Sequence, residues 1–260
     1  MKINHHLILL GIACLALSQG LQAQTNAPAS TNALSMTNAP APHVNTAIIP
    51  ALHTGKRTDD VLQRAKDGPG EYDIAFIGDS ITQGWEGAGK NIWQKYYGSR
   101  KCINFGVGGD RTQHVLWRFE HGQLTGIKAK ATVLMIGTNN SNKNKEGVED
   151  NSEADILAGV QAIVQQIHEL LPDTKIILCS IFPRGKTFST QRGKILQINQ
   201  ALEKLDDGKT IFYSDFGSKM IEADGSISTG MMRDALHPGE AGYEIWAAAI
   251  EPKLKQLLAQ

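Results

Sequence analysis

A chain of 260 residues with 26 Lys and Arg against 26 Asp and Glu carries no formal net charge. That removes any general electrostatic reason to coat nucleic acid or an anionic membrane. With 41% hydrophobic residues, the chain has apolar mass for a sizeable core in one or two domains and is not of the disordered class.

Residues 1–23 read as a secretory signal peptide. Lys2, His5 and His6 make a polar start, and Leu7 to Leu17 is an apolar run of 11 residues, too short to span a bilayer. Leu21-Gln22-Ala23 then offers a small residue at the cleavage point. The expectation is an exported protein, periplasmic or extracellular, with no stable membrane insertion. Ile12-Ala13-Cys14 has a faint likeness to a lipoprotein site, but Gly11 stands where Leu is usual, which argues against a lipid anchor on Cys14. Residues 24–45, rich in Ala, Asn, Thr, Pro and Ser, read as a flexible tether, and 46–260 as the folded domain. Cleavage leaves Cys102 and Cys179. Both sit in apolar runs and read as separate buried thiols, although an oxidising compartment would permit a bridge. No Cys/His spacing suits zinc.

From Tyr72 onward, apolar runs alternate with helical patterns. Ile74 to Ile77, Cys102 to Val107, Ala131 to Gly137, Lys175 to Ile181 and a weaker Thr210 to Ser214 read as strands. Ile156, Leu157, Val160, Ile163, Val164, Ile167, Leu170 and Leu171 follow the 3.6-residue period of an amphipathic helix, closed by Pro172. Residues 111–120, 190–206 and 241–258 also read as helices. Alternation of this kind predicts an α/β fold of three layers, a parallel sheet with helices on both faces. The continuous rather than alternating apolar strands agree with burial on both sides. In such sheets ligands bind beyond the carboxyl ends of the strands.

Those ends hold the candidate chemistry. Gly78-Asp79-Ser80-Ile81 follows the first strand, and alone it suits a nucleophile or an ordinary turn and helix cap. The second strand ends in Asn104-Phe105-Gly106-Val107-Gly108-Gly109-Asp110, either an oxyanion-binding loop or a plain glycine turn. Neither phosphate-binding glycine pattern is present. The third ends in Gly137-Thr138-Asn139-Asn140, where the Asn139 amide can donate to a developing oxyanion or cap a turn. Near the C-terminus, Asp234-Ala235-Leu236-His237-Pro238 supplies an imidazole base and a carboxylate to orient it. Each motif is weak alone. Their joint occurrence at successive strand ends supplies nucleophile, oxyanion donors, base and orienter, the set that acyl transfer requires. No G-x-S-x-G elbow occurs.

Gly78-Asp79-Ser80, Gly108-Gly109, Gly137-Thr138-Asn139-Asn140 and Asp234-x-x-His237 resemble the four blocks of the SGNH (GDSL-like) hydrolase superfamily. The run from Asn104 to Arg118, NFGVGGDRTQHVLWR, and Phe182-Pro183-Arg184-Gly185 are similar to segments of the catalytic subunits of platelet-activating factor acetylhydrolase IB. The likeness covers roughly residues 60–255. It implies a flavodoxin-like, five-stranded sheet of order 2-1-3-4-5, a Ser80/His237/Asp234 triad, and no metal or other cofactor. It also implies an oxyanion hole of Ser80 N–H, Gly109 N–H and the Asn139 amide. Ile81, Thr138 and Leu236 occupy positions that help line the acyl pocket in the resembling acetylhydrolases, and they predict a small acyl group, acetyl above all. The resemblance also allows a homodimer. On the implied strand order Cys102 and Cys179 are three strand spacings apart. That is roughly 14 Å, beyond the ~7 Å Cα separation a disulfide bridges.

The expected activity is therefore serine-dependent hydrolysis of a small-molecule or glycan ester outside the cytoplasm. A lysophospholipase or platelet-activating-factor-like acetylhydrolase is the second expectation. A silent carbohydrate- or nucleotide-binding module on the same sheet is a third, of another class. Asp79 reads as structural, His114 as a packing or hydrogen-bonding residue, and Asp110 with Arg111 as a helix-start charge pair. Trp85 reads as a core residue that could alternatively line a mouth beside Ser80.

Overall fold

The computed structural model describes residues 43–259 apart from 146, 148 and 149. The expected signal peptide, Cys14 and most of the expected tether lie outside the described residues. The last tether residues are fastened to the domain. His43 Nε2 bonds the Asp155 carboxylate at 2.8 and 2.9 Å, and the Asn45 side chain accepts from Ala47 N–H at 2.9 Å. None of the described helices is long and apolar enough to cross a membrane.

Five strands make one parallel sheet: β1 Gly70–Gly78, β2 Cys102–Gly106, β3 Ile127–Met135, β4 Lys175–Cys179 and β5 Ile211–Ser214, in the order β2-β1-β3-β4-β5. This is the flavodoxin-like order expected from the sequence. The helices are α1 Lys56–Asp67, α2 Ser80–Gln83, α3 Lys90–Tyr97, α4 Thr112–Glu120, α5 Glu153–Leu170, α6 Thr190–Leu202 and α7 Glu240–Leu258. Alternate residues of the buried strands feed two cores. Ala75, Ile77, Phe105 and Leu134 meet α1, α4, α5 and α6 on one face. Ile74, Phe76, Ala131 and Val133 meet α3 and α7 on the other.

Helix α5 forms where its apolar period predicts, and Ser152 caps it by accepting from Asp155 N–H. Helices α1 and α3 each have an apolar face, but a narrow one in a short, mostly polar segment. α1 buries only Thr58, Val61 and Ala65. It is fastened also by arginines: Arg57 Nε donates to Gly106 O at 2.9 Å and Arg64 Nη1 to Asn104 O at 2.6 Å. Glu86 receives both guanidinium groups. Trp85 is fully buried, with ring centroids 4.5 Å from Tyr243 and 5.0 Å from Trp246. It is a core residue. Cys102 and Cys179 lie on β2 and β4 as free thiols, with β1 and β3 between them.

Register decides where the loops emerge. Gly78 at the end of β1 pairs with Gly106 of β2 and Met135 of β3. Three loops therefore leave the sheet at one level and side by side. The two glycines are needed there. A Cβ on Gly78 would collide with Met135 O and the Thr82 side chain, and one on Gly106 with the backbone of Gln83. With a side chain at either point, α2 could not sit on the strand ends and present its first residue, Ser80.

Candidate active site

Ser80 begins α2 directly after β1, and Asp79 caps that helix by accepting the Ile81 N–H at 2.9 Å. Asp79 has no accessible surface. Burial pushes its carboxyl up to about 7, against the pull of the Ile81 N–H and of nearby His237 and Arg184. It holds the serine turn, as expected of a structural residue.

The Ser80 hydroxyl lies 2.9 Å from His237 Nε2. His237 Nδ1 lies 2.7 Å from Asp234 Oδ2. Asp234 Oδ1 also accepts from the backbone N–H of Leu236 at 3.1 Å and of His237 at 2.7 Å. One carboxylate thus folds its own loop and orients the ring. Burial acts to raise the Asp234 carboxyl, but the His237 ring and these N–H groups outweigh it and hold it at about 2. Between acid and base, Ala235 has φ 57°, the one non-glycine residue with positive φ among those described. L-residues enter that region at a cost. The Ala235 carbonyl is held by Gly185 N–H at 2.8 Å.

The glycine loop after β2 separates its two candidate donors. Gln83 Oε1 takes the Gly108 N–H at 2.7 Å. The Gly109 and Ser80 N–H groups donate to no described residue. Gly109 adopts φ 82°, natural only for glycine. Asn139 Nδ2 donates to Asp110 O at 2.9 Å, which ties the β3 loop to the glycine loop and leaves the second amide hydrogen for a ligand. Ser80, Gly109, Asn139, His237 and Asp234, expected from sequence, therefore come together at the strand ends. Of the positions expected to line an acyl pocket, Ile81 and Thr138 are 0% and 1% exposed and Leu236 keeps a partly open surface.

Several supporting residues escaped the sequence reading. Asn140, wholly buried, accepts from Thr112 N–H at 3.0 Å and donates to Gln113 and Asn151, both at 3.0 Å. Arg184 Nη1 donates to Thr138 O at 3.0 Å and Asn142 Oδ1 at 2.9 Å. Asp110 does not pair with Arg111. Arg111 reaches out to Asp150 at 2.6 Å, whereas Asp110 turns inward to the buried Arg118 and to His53 Nδ1 at 2.8 Å. The side chain after a positive-φ glycine points into the core, where no solvated helix-start pair can form. His114 Nδ1 accepts the Arg111 N–H at 3.0 Å, the hydrogen-bonding role expected of it. Burial, and then the charges of His53 and Arg111, lower that imidazole to about 4.

His53, Asp110 and His114 bring three metal-type donor atoms within 4.8 Å of one another. Their chemistry fits a metal poorly. Arg118 already neutralises Asp110, and its charge would repel a cation. The His114 lone pair is committed to Arg111.

A serine aligned with an Asp–His pair at the ends of a 2-1-3-4-5 parallel sheet defines a serine ester hydrolase of the SGNH class. The model of the GDSL-like lipase/acylhydrolase family matches residues 76–245, and the chain belongs to that family. It is 35% identical over 191 residues to platelet-activating factor acetylhydrolase IB subunit alpha1 of Rattus norvegicus, covering 73% of this chain and 78% of that one. To subunit alpha2 of Homo sapiens it is 34% identical over 191 residues, covering 73% and 79%. Among solved structures it is similar to a GDSL-like lipase from Bacteroides thetaiotaomicron, with TM-score 0.63, 19% identity and coverage of 76% and 97%. It is also similar to an acetylxylan esterase from Geobacillus stearothermophilus, with TM-score 0.55, 21% identity and coverage of 72% and 95%. The two solved structures speak for the fold, and the family and the acetylhydrolase relatives for a carboxylic ester hydrolase. A silent binding module has no such support.

Proposed function

We propose that this hydrolase removes small acyl groups, acetyl above all, from an exported glycan or a similar extracellular ester. Ser80 is the nucleophile, His237 the base and Asp234 its orienter. The observation that carries the reading is the unbroken line Ser80 Oγ–His237 Nε2–Nδ1–Asp234, with contacts of 2.9 and 2.7 Å. His237 takes the Ser80 proton at Nε2 as Oγ bonds the ester carbonyl carbon. The oxyanion meets the N–H groups of Ser80 and Gly109 and the free Asn139 amide hydrogen. The carbon–alkoxy bond breaks, and the leaving oxygen takes the proton from Nε2. Water then gives a proton to His237 and attacks the acyl carbon, and Ser80 leaves with that proton restored. Asp234 keeps the imidazole in the tautomer whose Nε2 faces Ser80.

Buried Ile81 and Thr138, at positions expected to line the acyl pocket, support a short acyl group, as do relatives whose names specify acetyl esters. Export rests on the pattern of residues 1–23. The test compares acetyl and octanoyl esters of one leaving group below the micelle concentration. Forcing the longer chain against packed side chains costs about 1–3 kcal/mol. Acetyl should therefore lead in kcat/KM by about 5–150-fold, and Leu236→Ala should narrow the gap. Equal or faster octanoyl turnover would end the acetyl reading and favour a lysophospholipase. A platelet-activating-factor-like acetylhydrolase is the second reading. Ile48, Ile49 and Leu52, all 44–52% exposed in the stretch leading to His53, offer an apolar surface to a lipid alcohol. Faster turnover of a long-chain alkyl acetate than of acetylated xylose would select it.

A further inference from the structure

The stretch before α1 delivers a second histidine to the oxyanion loop. His53 Nδ1 lies 2.8 Å from Asp110 Oδ1, and its ring stacks on His114 with centroids 4.8 Å apart. A Cβ placed on Gly109 would lie 3.1 Å from His53 Cε1 and 3.7 Å from Nε2. A Cβ on the preceding Gly108 would lie 3.7 Å from Ser80 Cβ, so the imidazole edge borders the glycine loop within a few residues' breadth of the nucleophile. The backbone is held as firmly as the ring: Thr58 Oγ1 donates to His53 O at 2.7 Å, and Ala51 N–H to Gln113 O at 3.1 Å.

The ring's protons follow from its partner. Asp110 is wholly buried against Arg118 and is therefore a carboxylate, which only accepts. Nδ1 carries the hydrogen and Nε2 the lone pair. Burial and the Arg118 charge lower the His53 pKa, which favours that neutral form. The His53 side chain is 35% exposed, and Nε2 bonds no described residue. A ring held on both sides thus presents one acceptor to solvent beside the oxyanion donor.

We propose that His53 is a specificity residue whose Nε2 accepts a hydrogen bond from a hydroxyl of the substrate's alcohol moiety. This rests on the reading of the protein as an esterase of acetylated polyhydroxy compounds. A lone pair backed by a buried carboxylate repels anions and has nothing to offer an alkyl chain. It selects a neutral donor close to the ester. A mere brace for the glycine loop would need only Nδ1.

Glycerol monoacetate and propyl acetate share acyl group and carbon count and differ in hydroxyls. The wild type is expected to prefer glycerol monoacetate by about 5–10-fold in kcat/KM, the value of one such bond. His53→Asn keeps an amide donor for Asp110 and removes Nε2. It should abolish the preference while leaving propyl acetate turnover within about twofold, since the lost bond concerns one substrate only. His53→Gln, whose amide oxygen reaches the Nε2 position, should keep much of the preference but lose stability with the Asp110 bond. Thermal melts of both variants establish that they fold. A wild type with no preference would overturn the polyhydroxy reading and this assignment with it. A wild-type preference that survives in His53→Asn, or an equal fall on both substrates, would overturn the assignment of His53 alone. If His53→Asn does not fold, loss of the preference in His53→Gln overturns it and retention supports it.

Discussion

Replacing Asp110 by alanine tests the layer beneath the oxyanion loop. Asp110 and Arg118 are 0% and 1% exposed and paired with each other. Among the described residues Arg118 otherwise has neutral acceptors, Gln123 Oε1 at 2.6 Å and Phe105 O at 3.4 Å. Removing the carboxylate leaves a guanidinium buried without a counter-charge, which costs about 3–5 kcal/mol. The lost His53 bond adds about 0.5–1 kcal/mol, since water can reach that half-exposed ring. The sum, about 4–6 kcal/mol, is a large share of the ~5–15 kcal/mol of a typical domain. With a urea dependence of about 2–3 kcal/mol per molar, the unfolding midpoint should fall by about 2 M. A cycle with Arg118→Met isolates the pair, and a coupling of about 2–3 kcal/mol is expected. A coupling below about 0.5 kcal/mol is the size of a screened surface bridge and would refute the reasoning. In the folded fraction kcat should drop at least about tenfold, because the Gly109 donor loses its fixed position.

Ser80→Ala should lower turnover by about 10⁴-fold or more with the fold intact. A tenth of wild-type activity in a homogeneous sample would remove Ser80 from the role. Asn139→Ala should cut kcat by roughly 10²–10³-fold with little change in KM, and a pure KM effect would make it a substrate-binding residue instead. Asp79 titrates near 7, above its ordinary 3.8, so the folded state holds the proton more tightly than the unfolded one. That contribution is present below about pH 4 and is lost as pH rises through about 7. Asp79→Asn keeps the acceptor for Ile81 N–H and removes the titration. Denaturation from pH 4 to 8 should show a smaller decline in the variant, and parallel curves would contradict this.

The sheet was legible because each buried strand is a continuous apolar run and α5 a clean 3.6-residue pattern, signals that act within a few residues. The convergence of Ser80, Gly109 and Asn139 was legible for a related reason. Parallel strands deliver their carboxyl ends to one edge, so unusual residues just past each strand must meet. Helices α1 and α3 were not legible. The buried face of α1 is only Thr58, Val61 and Ala65 in a mostly charged segment, and it is supplemented by arginine contacts to strand carbonyls. α3 is eight residues long and gives Ile92 and Tyr97 to the core from a mostly polar segment, too short a run to stand out.

The second layer of the site was hidden for a different cause, and it bears on function. His53 meets Asp110 across 57 residues of sequence, and neither neighbourhood announces the other. Asp110 looks like any acid at a helix start until Gly109, at φ 82°, turns it inward onto Arg118. The same glycine frees its N–H for an oxyanion and leaves room for the His53 ring, since a side chain there would press on Cε1. One backbone conformation thus sets the donor, buries the carboxylate that anchors the loop, and admits the imidazole beside it. Chemistry and selectivity at this edge are therefore coupled through Gly109. Gly109→Ala should damage kcat and substrate preference together, whereas His53→Asn should separate them.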